Sequence, residues 1–272
     1  MAVGTGRVAL VTGASSGIGE AAARALVRAG FTVYGTSRRT APGEKRGDVA
    51  FLPLDVTDDE SVAGVVREVL ERSGRIDVLV NNAGVGVAGA AEESSIEQAR
   101  ALFETNLFGS IRMTRAVLPH MREQGNGRII NVSSVMGFLP APFMALYAAT
   151  KHAIEGYSES LDHEVREHGV RVLLVEPAYT KTAFDANTVA ADEPLALYAR
   201  RREAIDALTA TAVRAGDEPS VVGQAIVAAA TDTHPKLRYP AGALARRVSK
   251  LRRYVPPALF DKQIRKTNQL AA

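Results

Sequence analysis

A single α/β domain is the fold class that these 272 residues predict: a doubly wound parallel sheet with helices on both faces and a helical C-terminal extension. Three observations lead to it. Short apolar runs alternate with amphipathic helical stretches, the pattern of strands buried on both faces. A glycine-rich turn joins the first apolar run to the first helix. No linker rich in Pro, Gly or Ser and no internal repeat divides the chain, which reads as one unit over 1–272. Crossovers between parallel strands are right-handed, which leaves the doubly wound sheet as the favoured topology.

The elements follow in order. Val8–Thr12 is apolar and ends at the glycine turn. A helical pattern runs from Gly17 to Ala29, and Gly30 ends it. Phe31–Thr36 is rich in β-formers, and Phe51–Leu54 is another short apolar run. Val62, Val65, Val66, Val69 and Leu70 share one helix face, and Thr57 with Glu60 supplies a capping-box start for that helix. Val78–Val80 and Ile129–Val132 read as buried strands. Ile154, Tyr157, Leu161 and Val165 mark a long helix before Gly169, and Val172–Val175 is the next strand. Residues 180–217 read as irregular, and residues 236–272 as a basic helical tail.

The composition is that of an ordinary globular protein, with 46% hydrophobic and 23% charged residues. A chain of this length buries about 75% of the surface its unfolded form exposes, so its core needs no covalent staple. Zero cysteine excludes disulfides, thiol nucleophiles, Cys-ligated zinc and iron–sulfur clusters. The five histidines are scattered, and no metal site is expected. The N-terminus lacks the long apolar stretch of a signal peptide, and no run reaches the ~20 residues that span a bilayer, so a cytoplasmic protein is expected. The net charge of +3 hides an asymmetry: residues 236–266 carry +9, which leaves −6 for the rest.

Thr12-Gly13-Ala14-Ser15-Ser16-Gly17-Ile18-Gly19 is the first chemical signal. Glycine there allows positive φ and close approach of a ligand, and the free N–H groups of the following helix favour a pyrophosphate. A tight turn without ligand has the same pattern. After the second strand, Ser37-Arg38-Arg39 stands where an NAD-preferring site commonly has a carboxylate. A guanidinium pairs with a 2′-phosphate, so the expected cofactor is NADP(H) rather than NAD(H), with Arg38 the main contact and Ser37 or Arg39 assisting. The other reading is a solvated basic loop. Tyr147 and Lys151, at i and i+4, share a helix face, where a fixed ammonium lowers a phenol's pKa and suits it to proton transfer at a carbonyl oxygen. Alone, such a pair is also common on helix surfaces.

Taken together and in order, these motifs resemble the short-chain dehydrogenase/reductase family. The resemblance covers about residues 7–185: Thr12–Gly19, Asp55-Val56, Asn81-Asn82-Ala83-Gly84, Asn106, Ser133-Ser134, Tyr147 with Lys151, and Pro177 to Thr182. It implies a Rossmann-type fold and an NAD(P)-dependent oxidoreductase acting on a carbonyl or alcohol. Tyr147 would be the general acid/base. Lys151 would lower its pKa and bind the nicotinamide ribose, Ser134 would polarise the substrate carbonyl, and Asn106 would hold a proton-relaying water. Gly13, Ser15, Ser16, Gly17, Ile18 and Gly19 would lie under the pyrophosphate. Asp55 with Val56 would meet the adenine, and Asn82, Ala83 and Gly84 would line the adenosine side. Pro177, Thr180 and Thr182 would border the nicotinamide. Asn81 reads better as a brace for the central strand. Ala178 replaces the glycine common in the family, which puts the local backbone there in question.

Phe138, Phe143, Tyr179 and Phe184 fall in the two segments that border the substrate in that family, and apolar walls favour an apolar carbonyl or alcohol. They would equally serve as core. The pattern most resembles 17β-hydroxysteroid- and retinol-dehydrogenase-like members, which points to a steroid-, retinoid- or lipid-like substrate. Family members are usually homodimers or homotetramers built on the helices of Asn106 and Tyr147. Two non-enzymatic readings stand beside this one: an NADP-binding regulatory protein, and a protein that meets a membrane surface through its tail. In that tail Leu244, Val248, Leu251 and Val255 form an apolar stripe among Arg246, Arg247, Lys250, Arg252 and Arg253. The same helix could instead pack on its own subunit or cover the substrate mouth. No nucleic-acid motif is present.

Overall fold

The structure is a computed structural model that describes residues 6–41 and 43–270. Its first strand shows how the sheet is packed. In β1 (Val8–Val11), Ala9 and Val11 face one hydrophobic cluster, and Val8 and Leu10 face the other. Strand side chains alternate, so a strand buried on both faces must be apolar throughout. The chain continues through α1 (Gly17–Arg28), β2 (Thr32–Ser37), β3 (Lys45–Arg46), β4 (Val49–Pro53), α2 (Asp59–Ser73), β5 (Val78–Asn81) and β6 (Val87–Ala88). Then come α3 (Ile96–Phe103), α4 (Gly109–Glu123), β7 (Gly127–Val132), α5 (Ala145–Val165), β8 (Val170–Pro177) and β9 (Val189–Ala190). The last elements are α6 (Ala199–Arg214), α7 (Pro219–Thr231), β10 (Arg238–Ala241), α8 (Gly242–Tyr254) and α9 (Pro257–Thr267).

Eight strands form one sheet in the order β10-β8-β7-β5-β1-β2-β4-β3. All pairs are parallel except β3 with β4. The chain leaves the centre through β1, β2 and β4, then returns to β5 on the other side of β1. That reversal opens a crevice at the carboxyl ends of β1 and β5, where ligands bind in open α/β sheets. Helices α1 and α7 cover one face through Ala22, Leu26, Val222 and Ile226. Helices α2, α4 and α5 cover the other through Val65, Val69, Val117 and Leu161. Burying each of the larger side chains contributes roughly 1.5–3 kcal/mol.

The expected elements are present, with three differences. The cap of α2 is Asp58, whose carboxylate accepts from the Ser61 N–H at 2.7 Å. Thr57 does not cap; its hydroxyl donates to Asp55. Residues 180–217 are not wholly irregular, since they hold α6 and β9, the latter paired with β6. Helix α6 buries only Ile205, and a helix polar nearly all round shows no periodic apolar signal. The basic tail begins inside the sheet, because β10 pairs with β8. Its sequence Arg-Tyr-Pro-Ala has none of the apolar run that marks the inner strands.

Candidate active site

The crevice floor is the turn between β1 and α1. Gly13 and Gly17 have φ of +65° and +55°, a conformation that penalises any side chain. A Cβ on Gly19 would stand 2.2 Å from the Gly13 carbonyl oxygen. Ser16 precedes α1 without capping it, so first-turn N–H groups of α1 have no side-chain cap. Ile18 contributes backbone here; its side chain packs into the core. The Asn82 amide donates to the carbonyls of Thr12 and Gly13 at 2.9 and 3.1 Å, and the Thr12 hydroxyl accepts from the N–H groups of Asn82 and Ala83 at 3.0 Å. Asn82 therefore braces the turn rather than offering its amide to the adenosine side. Asn81 donates to Asn131 at 2.8 Å and is buried, as a strand brace should be. Gly84 sits beside the Asn106 amide.

At the end of β2, Arg38 and Arg39 are exposed, and the Ser37 hydroxyl accepts from the Arg39 N–H at 3.2 Å. Arg38 lies near Asp55, whose carboxyl is held below the usual range, chiefly by hydrogen bonds from Thr57. Val56 is buried against Gly109. A further arginine escaped the sequence reading. Arg46 reaches across the turn and donates to the Ser15 carbonyl at 3.1 Å, with its guanidinium 4.6 Å from the Phe51 ring centroid. It is 31 residues from Ser15, and only the fold-back of β3 onto β4 brings the two together.

The reacting end is built on α5. Tyr147 and Lys151 lie on its buried side, with the ammonium 5.5 Å from the phenol ring centroid. Lys151 donates to the Val132 carbonyl at 2.9 Å. Burial pushes its pKa down to about 8, opposed by the nearby Glu155 carboxylate. The phenol differs from the expectation. Burial, reinforced by the Asp185 charge, raises its pKa above the ordinary value rather than lowering it. Ser134 stands at the end of β7, half-buried, and accepts from the Met136 N–H at 3.1 Å. Ser133 points the other way and is buried toward Glu155.

Asn106 lies in a π turn, residues Glu104–Phe108, that links α3 to α4. Its amide donates to the Val85 carbonyl at 2.9 Å and the Thr150 hydroxyl at 3.2 Å, and its oxygen accepts from the Val85 N–H. The side chain is thus a clamp between the β5 loop and the residue before Lys151. The water-holding role expected of it gains no free side-chain donor here.

Pro177 ends β8, and the Thr180 hydroxyl donates to the Ala178 carbonyl at 3.1 Å. Thr180 is turned into its own loop, whereas Thr182 packs over Gly17 at the crevice floor. Ala178 lacks positive φ, so the missing family glycine causes no strain. Phe184 lies 5.6 Å from the Tyr147 ring, and Asp185 acts on both Tyr147 and Tyr179. Phe143 adopts φ +63°, held by its carbonyl accepting from Gly89 and by an edge contact of 6.0 Å with Tyr198. Such strain in a bulky residue persists only where the surroundings fix it. Phe138, Phe143, Tyr179 and Phe184 are all half-buried, which separates them from the core.

Behind the lysine lies a charge cluster that the sequence did not reveal. Arg238 of β10 pairs with buried Glu155 and Glu176 and with Glu159. Burial and the adjacent Glu155 charge raise Glu176 to about 7, and burial raises Glu155 as well. No group of His, Asp or Glu among the described residues is arranged to hold a metal ion.

Comparison with known proteins shows the family. The model of the short chain dehydrogenases matches residues 7–193. A 3-ketodihydrosphingosine reductase of Bacteroides thetaiotaomicron is 44% identical over 181 residues, covering 66% of each chain. Human retinol dehydrogenase 8 is 35% identical over 252 residues, 85% of this chain and 80% of that one. A solved short-chain dehydrogenase from Streptomyces avermitilis superposes with a TM-score of 0.78 at 37% identity, covering 97% of this chain and 99% of the other. The fold is a doubly wound Rossmann-type sheet, and the chain belongs to the short-chain dehydrogenase/reductase family of oxidoreductases.

Proposed function

We propose that the protein is an NADP(H)-dependent oxidoreductase that interconverts an apolar, lipid-like ketone and its secondary alcohol. The observation that carries this reading is the buried Tyr147–Lys151 face of α5 with Phe184 against the phenol. The residues present fit a dinucleotide. Gly13 has positive φ, Gly19 leaves no room for a Cβ, the start of α1 is uncapped, Arg38 lies near Asp55, and Arg46 donates to the Ser15 carbonyl in the turn. When bound, the nicotinamide supplies or takes the hydride. The chain's own residues do the rest. Tyr147 holds a proton ready for the carbonyl oxygen, and Ser134 donates a hydrogen bond to that oxygen. Lys151, tethered at Val132, keeps positive charge beside the phenol as its proton leaves, with further N–H groups for ribose hydroxyls.

The names of two relatives, a ketosphingoid reductase and a retinol dehydrogenase, support a lipidic substrate. So do the half-buried Phe138, Phe143, Tyr179 and Phe184. Phe108, 46% exposed beside Asn106, supports a homo-oligomer built on α4 and α5.

The test is oxidation of NADPH and of NADH over a panel of steroid, retinoid and aliphatic ketones. NADPH should be preferred, and Arg38→Asp should raise its KM roughly 10- to 100-fold, the worth of one charge-assisted contact. An NADH preference untouched by Arg38→Asp would refute the 2′-phosphate assignment.

A further inference from the structure

We propose that the outward face of α8 and α9 docks on an anionic lipid bilayer. The stripe read from the sequence is not the buried face of α8. Gly242 and Ala245 are buried, and Val248 is only half-buried. Leu244, Arg247, Leu251 and Tyr254, at spacings of three and four, therefore share the opposite side. Leu244 is 45%, Leu251 40% and Tyr254 75% exposed, and on α9 Leu259 is 60% exposed. Arg252 of α8 lies 5.1 Å from the ring centroid of Phe260 on α9, a contact between the two helices.

Residues 242–267 hold eight basic residues and one acidic residue. Arg246, Arg247, Lys250, Arg253 and Lys262 form no ion pair among the described residues. A surface with both exposed leucines and uncompensated cations matches the interface of an anionic bilayer, which offers an apolar layer beneath negative headgroups. A second copy of the same face would repel it. A nucleic acid would leave the leucines in water. No helix of the described residues is long and apolar enough to cross a membrane, so the contact is peripheral.

The C-terminal helices are tied to the body at two points. Arg252 donates to the Phe138 carbonyl at 3.1 Å, and Arg201 of α6 donates to the Gln269 carbonyl at 2.7 Å. A bilayer under α8 therefore lies one hydrogen bond from the Phe138 segment, which borders the substrate in the reading above. That last step rests on the substrate reading above; the docking itself does not.

The test is cosedimentation of the full chain with phosphatidylcholine vesicles, with and without phosphatidylglycerol, read without cofactor or substrate. Binding should require phosphatidylglycerol and fall with salt. Each basic residue near such a surface contributes about fivefold in partition, so Arg247→Glu with Lys250→Glu should lower binding roughly a hundredfold or more. Leu244→Ser with Leu251→Ser should also weaken it at unchanged charge. Both variants should keep the wild-type circular dichroism and the turnover of a water-soluble ketone, which separates docking from the catalytic reading. Three results would overturn the proposal: no binding to phosphatidylglycerol vesicles, binding that survives both double substitutions, or equal binding of duplex DNA with no effect of the leucine changes. Self-association that buries this face and excludes vesicles would overturn it too.

Discussion

At the scale of single residues, the chemistry turns on which force sets each proton. Burial dominates at both Tyr147 and Lys151 and pushes them in opposite directions: the phenol up, the ammonium down to about 8. The phenol is therefore the proton holder throughout the physiological range, and lysine charge is what is lost first as pH rises. The expected outcome is that kcat/KM for ketone reduction falls above about pH 8. Glu155→Gln, which removes the charge opposing the burial of Lys151, should move that limb to lower pH. A pH–rate profile with no limb between pH 7 and 9, or one moved upward by Glu155→Gln, would contradict the assignment. Tyr147, Lys151 and Ser134 stood out in the sequence because they lie within one short stretch of an ordered set of motifs that resembles a known family. Arg46 and Glu155 were not, because their partners Ser15 and Arg238 are 31 and 83 residues away.

At the scale of elements, periodicity revealed what was buried on a repeating face and nothing else. The inner strands β1, β5, β7 and β8 were plain as apolar runs, and α2 as a one-sided helix. Helix α6, which buries little, and β10, which carries an arginine and a proline, gave no such signal. The start of α2 was misplaced by one residue because Thr57 and Asp58 are both good caps, and only the geometry shows Asp58 accepting from Ser61. Asp58→Ala should lower stability by about 1 kcal/mol, whereas Thr57→Val should leave the cap intact. Denaturant unfolding of the two variants checks the difference.

The whole molecule joins a catalytic body to a basic end through β10. Arg238 is where the two meet, and it compensates two buried carboxylates, Glu155 and Glu176. Arg238→Met should destabilise the fold by about 3–5 kcal/mol at pH 7.5, because it leaves buried charge unpaired. The loss should shrink at pH 5, where carboxylates with raised pKa take up protons. Glu176 itself, about 7 when folded and 4.5 when unfolded, binds a proton in the native state that the unfolded chain has released. Its contribution is complete below pH 4.5 and lost as pH rises through 7. Glu176→Gln should therefore flatten the fall in wild-type stability between pH 5 and 7.5, as measured by chemical denaturation.

The central claim is that Tyr147 delivers the proton at the reacting oxygen, and one pair of measurements tests it most directly. NADPH affinity and single-turnover NADPH oxidation with a ketone substrate should be compared in the wild type and Tyr147→Phe. The variant is expected to bind NADPH within a few-fold of wild type and to lose turnover by roughly 10²- to 10⁴-fold. Near-wild-type turnover in Tyr147→Phe would contradict the account.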